Sequence, residues 1–148
     1  MLTIREMTSM DIDQVCVLEE MVFSMPWHRQ SFVEMVENKD ALYLVVEEDS
    51  RPGVVIAVCG MRSIVGEGDI SNVVVHPDYR KRGIAQQMLS ELLRRGESEF
   101  GVEAYTLEVR KSNADAINLY QRLGFVQEGI RKNFYEKPTE DAIIMWKR

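Results

Sequence analysis

The chain has 148 residues, 45% apolar and 28% charged, with 24 acidic against 18 basic side chains and a formal net charge of -6. That length predicts one domain over residues 1–148, and the apolar share can fill a core, which excludes a disordered chain. The acidic balance argues against a broad nucleic-acid face, no apolar run approaches the roughly 20 residues that cross a bilayer, and the acidic start is unlike a signal peptide, so the expectation is a cytoplasmic protein with no nucleic-acid or membrane partner.

Along the chain, LTIRE alternates as one short strand, and Thr8, Ser9 or Asp11 can cap a helix through DIDQVCVLEEMVF. Ile12, Val15, Leu18 or Glu19, and Val22 recur at helical spacing and form its core-facing stripe. The break at Ser24-Met25-Pro26-Trp27 ends it, and HRQSFVEMVENKD resumes as a shorter helix. ALYLVVEE and VVIAVCGMRSI flank the turn-forming DSRPG as a hairpin, and GEGDISNVVVHP adds a third strand that stops at His76-Pro77-Asp78. Ile84, Met88, Leu89, Leu92 and Leu93 then mark a helix of about four turns, followed by the strand EAYTLEVR. A helix from Ser112 or Asn113 to Leu123, closed by Gly124, precedes the strands FVQEGIRKNF and EDAIIMWKR. The strand, helix and strand between Asn72 and Val109 predict a parallel pair inside an otherwise antiparallel sheet, a mixed α+β fold. Ligands favour the carboxyl ends of such parallel strands.

Arg80, Lys81 and Arg82 stand side by side in this acidic chain, just before Gly83 and the long helix. A helix start carries unpaired N–H groups and partial positive charge, glycine lets a ligand approach, and the cations add charge, so the stretch reads as a phosphate cradle. A solvated basic turn is the plainer alternative. Neither G-x-x-x-x-G-K-[ST] nor G-x-G-x-x-G is present, which speaks against a Walker NTPase or a dinucleotide fold. His28 and His76 have no partner at zinc spacing, and Cys16 and Cys59 form no C-x-x-C, so neither a metal site nor a disulfide is expected.

Arg80-x-x-Gly83-x-Ala85, after NVVV and a His-Pro turn, resembles the coenzyme loop of the GCN5-related N-acetyltransferases (GNAT). The resemblance implies acetyl-CoA as co-substrate. Val73, Val74 and Val75 would face pantetheine and acetyl, and Lys81 through Gln86, with Ile84 and Ala85 among them, would wrap the pyrophosphate, Arg80 opening the same coenzyme-binding loop. LEVRKSNADAINLYQRLGF, Met25-Pro26-Trp27, and Arg131 to Tyr135 followed by Glu140 to Met145 narrow the likeness to the ribosomal-protein-alanine N-acetyltransferases, the RimI type. Those enzymes acetylate a protein α-amine, and their named substrate is a small-subunit ribosomal protein beginning with alanine.

Acetyl transfer from a thioester to an amine needs a base for the ammonium and a proton or hydrogen bond for the departing thiolate. Glu108, near the end of its strand, can be that base or can simply pair with Arg110. The resemblance implies the base, acting directly or through a water. Tyr120, mid-helix, is either core or the acid, and the resemblance implies the acid. Asn113 is a helix cap, a coenzyme ligand or both, and Ser112 with Asp115 looks like a capping box. Trp27 and Tyr135 either pack or line the acceptor groove. Cys59 is expected away from the coenzyme motifs, which favours direct attack in a ternary complex. The competing readings are transfer to a polyamine or lysine side chain and a non-catalytic acetyl-CoA sensor. A monomer and a weak dimer both fit the sequence.

Overall fold

The computed structural model describes residues 1–148. The elements run β1 (Leu2–Glu6), α1 (Ile12–Val22), α2 (Arg29–Glu37), β2 (Ala41–Glu48), β3 (Val55–Ile64), β4 (Glu67–Val75), α3 (Ile84–Phe100), β5 (Ala104–Arg110), α4 (Ala114–Arg122), β6 (Val126–Tyr135) and β7 (Glu140–Lys147). Thr8 and Asp11 do form a capping box, around a short 3-10 turn that leads into α1.

All seven strands join one sheet in the order β1-β2-β3-β4-β5-β7-β6, and only β4 and β5 run parallel. Their pairing is brief. It covers Glu67 with Ala104, Gly68 with Tyr105 and Asp69 with Thr106, and then stops. The cause lies on the other edge of β4. Val58 pairs with Val74 and Gly60 with Ser71, so Cys59 faces two residues, Asn72 and Val73. This is a β-bulge, with Asn72 at φ 59°, a left-handed conformation that asparagine tolerates better than most residues. The bulge bends β4 away from β5 and leaves a slot between the strands from Ile70 onward.

A core lies on each face of the sheet. Ile84, Met88, Leu89, Leu92 and Leu93 of α3 are all buried, against Leu42, Ile56, Met61, Leu107 and Tyr120 among others. Ile12, Val15 and Leu18 of α1 and Phe32 of α2 cover the opposite face over Tyr43, Val45, Val58 and Val74. Burying one such side chain contributes about 1.5–3 kcal/mol. A surface ion pair gives about 1 kcal/mol or less, so the apolar stripes, rather than the charges, hold the helices down.

Gly60 is needed for a close approach, because a Cβ there would sit 2.3 Å from the Tyr43 ring. With no side chain in the way, Tyr43 lies over β3 and puts its hydroxyl at the bulge. It donates to Asn72 Oδ1 at 2.8 Å and lies 3.0 Å from Ser71 Oγ.

Candidate active site

The slot has a cationic end. Arg80, Lys81, Arg82 and Gly83 are all exposed, and the loop is shaped by positive φ at Lys81 (63°) and Gly83 (76°). Gly83 stands where α3 starts, and the first helical bond runs from Gln87 N to Gly83 O at 3.1 Å. The N–H groups of Ile84, Ala85 and Gln86 meet no acceptor within the protein, so they are available to an anion, and the helix dipole favours one there. The side chains of Ile84 and Val74 are core, at 4% and 1% exposure, so only their backbones can meet a ligand. Val73 and Val75 are half-buried along the part of β4 that has no β5 partner.

Asn113 is the cap of α4, its Oδ1 accepting from Ala116 N at 3.2 Å, which leaves its Nδ2 free of protein partners. The expected capping box of Ser112 and Asp115 is corrected. Ser112 N–H donates instead to Glu140 Oε2 at 2.6 Å, because β7 brings that carboxylate to the start of α4.

Glu108 and Tyr120 lie on opposite faces of the sheet. Leu107 and Val109 point into the α3 core, which also holds Tyr120, so alternation along β5 sends Glu108 to the α1–α2 face. Its ion-pair partner is Arg131 of β6, not the expected neighbour Arg110, with Nε 2.9 Å from Oε2. The contact lacks hydrogen-bond alignment, and Oε2 is shielded from solvent with no hydrogen bond. Burial pushes the Glu108 carboxyl above its ordinary range, Arg131 pulls it back, and Asp69 adds to the rise. Such a carboxylate holds a proton more readily than one in water.

Tyr120 is 6% exposed and edge-on to Phe125 at 5.9 Å, and its hydroxyl hydrogen-bonds to no protein group. Burial raises its pKa, with smaller contributions from Cys59 and Tyr135. Cys59 was expected away from the coenzyme motifs, and the bulge places it directly opposite Asn72 and Val73. It is fully buried, and desolvation pushes its thiol up, so it is a poor source of thiolate.

Trp27 and Tyr135 lie on the same face as Glu108. Trp27 packs near Phe32 and Tyr43, at 5.3 and 6.1 Å between centroids. Arg110 lies 4.6 Å over the Tyr135 ring, and burial lifts the Tyr135 hydroxyl to about 12, with Glu108 adding to the rise. A cleft of ≈ 560 Å³ lies along α1 and the segment between α1 and α2, lined by Glu20, Ser24, Trp27 and His28 among others, with Lys137 reaching it from the β6–β7 tip.

Two residues went unread in the sequence. Glu19, taken as part of an apolar stripe, is 1% exposed, accepting from Trp27 N and from Asn72 Nδ2, each at 3.2 Å. A carboxylate on the core face of a helix was the available signal. Asn72 gave none, because its positive φ arises from strand pairing. Through them the acceptor-side loop is tied to the bulge that opens the slot.

A parted strand pair beside free amides at a helix start, with a carboxylate on one face of the sheet and a tyrosine on the other, suits a thioester of a diphosphate-bearing coenzyme. Residues 12–125 match the acetyltransferase (GNAT) family. The chain belongs to that family. It is an acetyl-CoA-dependent N-acetyltransferase, as its family's reaction requires. Among curated relatives, a protein of Bacillus subtilis described as a putative ribosomal protein bS18-alanine N-acetyltransferase is 36% identical, over 97% of this chain and 93% of its own. The crystal structure of the Escherichia coli ribosomal-protein-S18-alanine N-acetyltransferase superposes with TM-score 0.89 at 32% identity, covering 99% of this chain and 93% of that one. A chimera of the spermidine N-acetyltransferase SpeG from Vibrio cholerae and hSSAT reaches TM-score 0.84 at 17% identity over 99% of this chain and 94% of that one, a likeness of fold alone. No helix is long and apolar enough to cross a membrane.

Proposed function

We propose that this acetyltransferase, acting in the cytoplasm as one domain over residues 1–148, transfers acetyl to the α-amine of a protein N-terminus, with the N-terminal alanine of ribosomal protein bS18 as acceptor. The observation that carries this reading is the cleft that Trp27 lines from the α1–α2 segment and Lys137 from the β6–β7 tip, with Tyr135 near enough to Glu108 for that carboxylate to act on its hydroxyl. A peptide needs such a groove to pass its first residues through, whereas a polyamine needs only a channel. The relatives' names point the same way.

In the mechanism, the pyrophosphate of acetyl-CoA lies on the N–H groups of Ile84 to Gln86 among the Arg80, Lys81 and Arg82 charges. Pantetheine follows the open edge of Val73 to Val75, and Asn113 Nδ2 contributes a hydrogen bond. Glu108 takes a proton from the acceptor ammonium, directly or through one water. The amine nitrogen then attacks the acetyl carbonyl, the C–S bond breaks as the amide forms, and the second proton that the nitrogen sheds balances, through solvent, the one the departing sulfur takes up. Tyr120 donates to the departing sulfur. A free thiol titrates near 8.5 and a phenol near 10, so full transfer to a hydrated thiolate would be uphill. The apolar surroundings raise both the sulfur's proton affinity and the Tyr120 pKa, so the gap remains, and Tyr120 acts by hydrogen-bonding the sulfur as charge develops there, with the thiolate ending as a thiol. Two thiols that burial keeps protonated, Cys16 and Cys59, support direct attack over an acetyl-cysteine intermediate.

The test is acetyl-CoA-dependent thiol release with an Ala-first bS18 peptide, the same peptide blocked at its N-terminus, and spermidine. Turnover of the free peptide that vanishes on blocking is expected. Turnover of spermidine alone would move the acceptor to the polyamine class, and tight acetyl-CoA binding without turnover on any acceptor would favour a sensor.

A further inference from the structure

Arg110 ends β5 two residues beyond Glu108 and on the same face, yet the mechanism above gives it no task. Its side chain is 25% exposed, and its hydrogen bonds are directed at loops. Nη1 donates to Pro138 O at 2.9 Å and to Glu140 Oε1 at 3.2 Å. Nη2 donates to Glu136 O at 2.8 Å and reaches Ser24 Oγ at 3.4 Å, while the guanidinium plane lies over Tyr135. Ser24 itself reaches Glu136 O at 3.4 Å.

One planar group therefore joins the tip of the β6–β7 hairpin to the segment between α1 and α2, the two walls of the acceptor cleft. Two of its acceptors are backbone carbonyls, so it fixes the path of the loop itself. None of these contacts touches the Arg80 to Gln86 loop that would hold coenzyme. Lysine cannot reproduce the arrangement, because it offers a point charge in place of a flat fork of donors and stacks poorly on a ring.

We propose that Arg110 is a positioning residue for the acceptor: it sets the width of the groove between Ser24 and the Tyr135–Pro138 tip, and so the angle at which the amine meets Glu108. This rests on the acceptor path assigned above. The experiment compares wild type with Arg110→Met and Arg110→Lys. Acceptor and acetyl-CoA are each varied at saturation of the other, with whichever acceptor the wild type turns over, and amide exchange of Glu136, Lys137 and Thr139 is followed in parallel. Arg110→Met is expected to raise the acceptor KM about tenfold or more, the effect of losing one charge-assisted hydrogen bond in positioning. The acetyl-CoA KM should stay within about twofold, Arg110→Lys should rescue only part of the loss, and the tip amides should exchange faster. Equal rises in both KM values, a fall in kcat alone, or unchanged exchange would overturn the proposal. A wild type that acts on no peptide refutes the N-terminal acceptor separately. If it acts on no acceptor at all, the tip exchange decides the role of Arg110.

Discussion

Replacing Glu108 with Gln keeps the shape of the side chain and removes its basicity, so the loss should follow the protonation of both partners. Loss of a positioned general base costs about 10²–10⁴-fold. Glu108 is raised above the ordinary carboxyl range, so at pH values below its own pKa the wild type also carries a neutral side chain, and the rate ratio of wild type to mutant shrinks. The ratio is widest above that pKa and below about 8, where a peptide α-amine is still an ammonium, and it narrows again once the amine is free. Two neighbours set the position of the acid limb. Arg131→Met removes a cation that favours the carboxylate, which moves the limb to higher pH, and Asp69→Asn removes a repelling charge, which moves it to lower pH. The Arg131 contact is short at 2.9 Å, but its side chain is 59% exposed. Such a pair is worth about 1 kcal/mol at most, so the rate on the acid limb should fall by no more than about fivefold, with no change on the plateau. The assay is kcat/KM for the acceptor across the range from about pH 5 to 9. A wild-type to mutant ratio that stays flat over that range, or Arg131→Met and Asp69→Asn moving the limb in one direction, would refute the assignment.

Tyr120→Phe should lower kcat by about 10²-fold or more while the acetyl-CoA Kd, read by titration calorimetry, changes by less than about threefold. Parallel losses would mean that the ring, and not the hydroxyl, is what matters. Gly83→Val places a branched side chain at φ 76°, which costs about 1–2 kcal/mol, and it should raise the acetyl-CoA KM about tenfold with a far smaller effect on kcat. An unchanged KM would show that the loop does not hold coenzyme. Gly60→Ala forces a Cβ to within 2.3 Å of the Tyr43 ring, an overpacking of about 2 kcal/mol that should lower Tm by about 4–8 °C in scanning calorimetry. A Tm within 1–2 °C, roughly the scatter of surface substitutions, would mean that Tyr43 can move aside.

The helices were legible because their signal is local. Ile84 to Leu93 repeat at three and four positions, and all five named side chains are buried as that spacing requires. The cationic loop was legible for the same reason, since cations, glycine and helix start are neighbours in sequence. The partner of Glu108 was not. Sequence favours Arg110, two positions along one strand, but β7 lies between β5 and β6, and the register sets Glu108 beside Ile144 and Arg131 beside Ala142. Arg131 thus reaches Glu108 across β7, while Arg110 turns toward the loops. Strand order decided this, and nothing within either strand encodes it. The same holds for Ser112, whose N–H is taken by Glu140 from a strand that comes 28 residues later.

The buried carboxylate of Glu19 links the two halves of the site, and its electrostatics indicate what it is for. Burial raises its pKa more than the bonds from Trp27 and Asn72 lower it. A group whose folded pKa is raised contributes stability that is fully present below its unfolded value and lost as pH rises through the folded one. Above its folded pKa, then, the Glu19 charge works against folding, and an apolar side chain of similar volume would pack there at no greater cost. What an apolar side chain could not do is accept from the Trp27 backbone and the Asn72 amide at once. Asn72 sits in a left-handed conformation that needs holding, and its bulge is what parts β4 from β5. Glu19 therefore secures geometry in place of stability, fixing the slot for the thioester and the loop for the amine through one side chain.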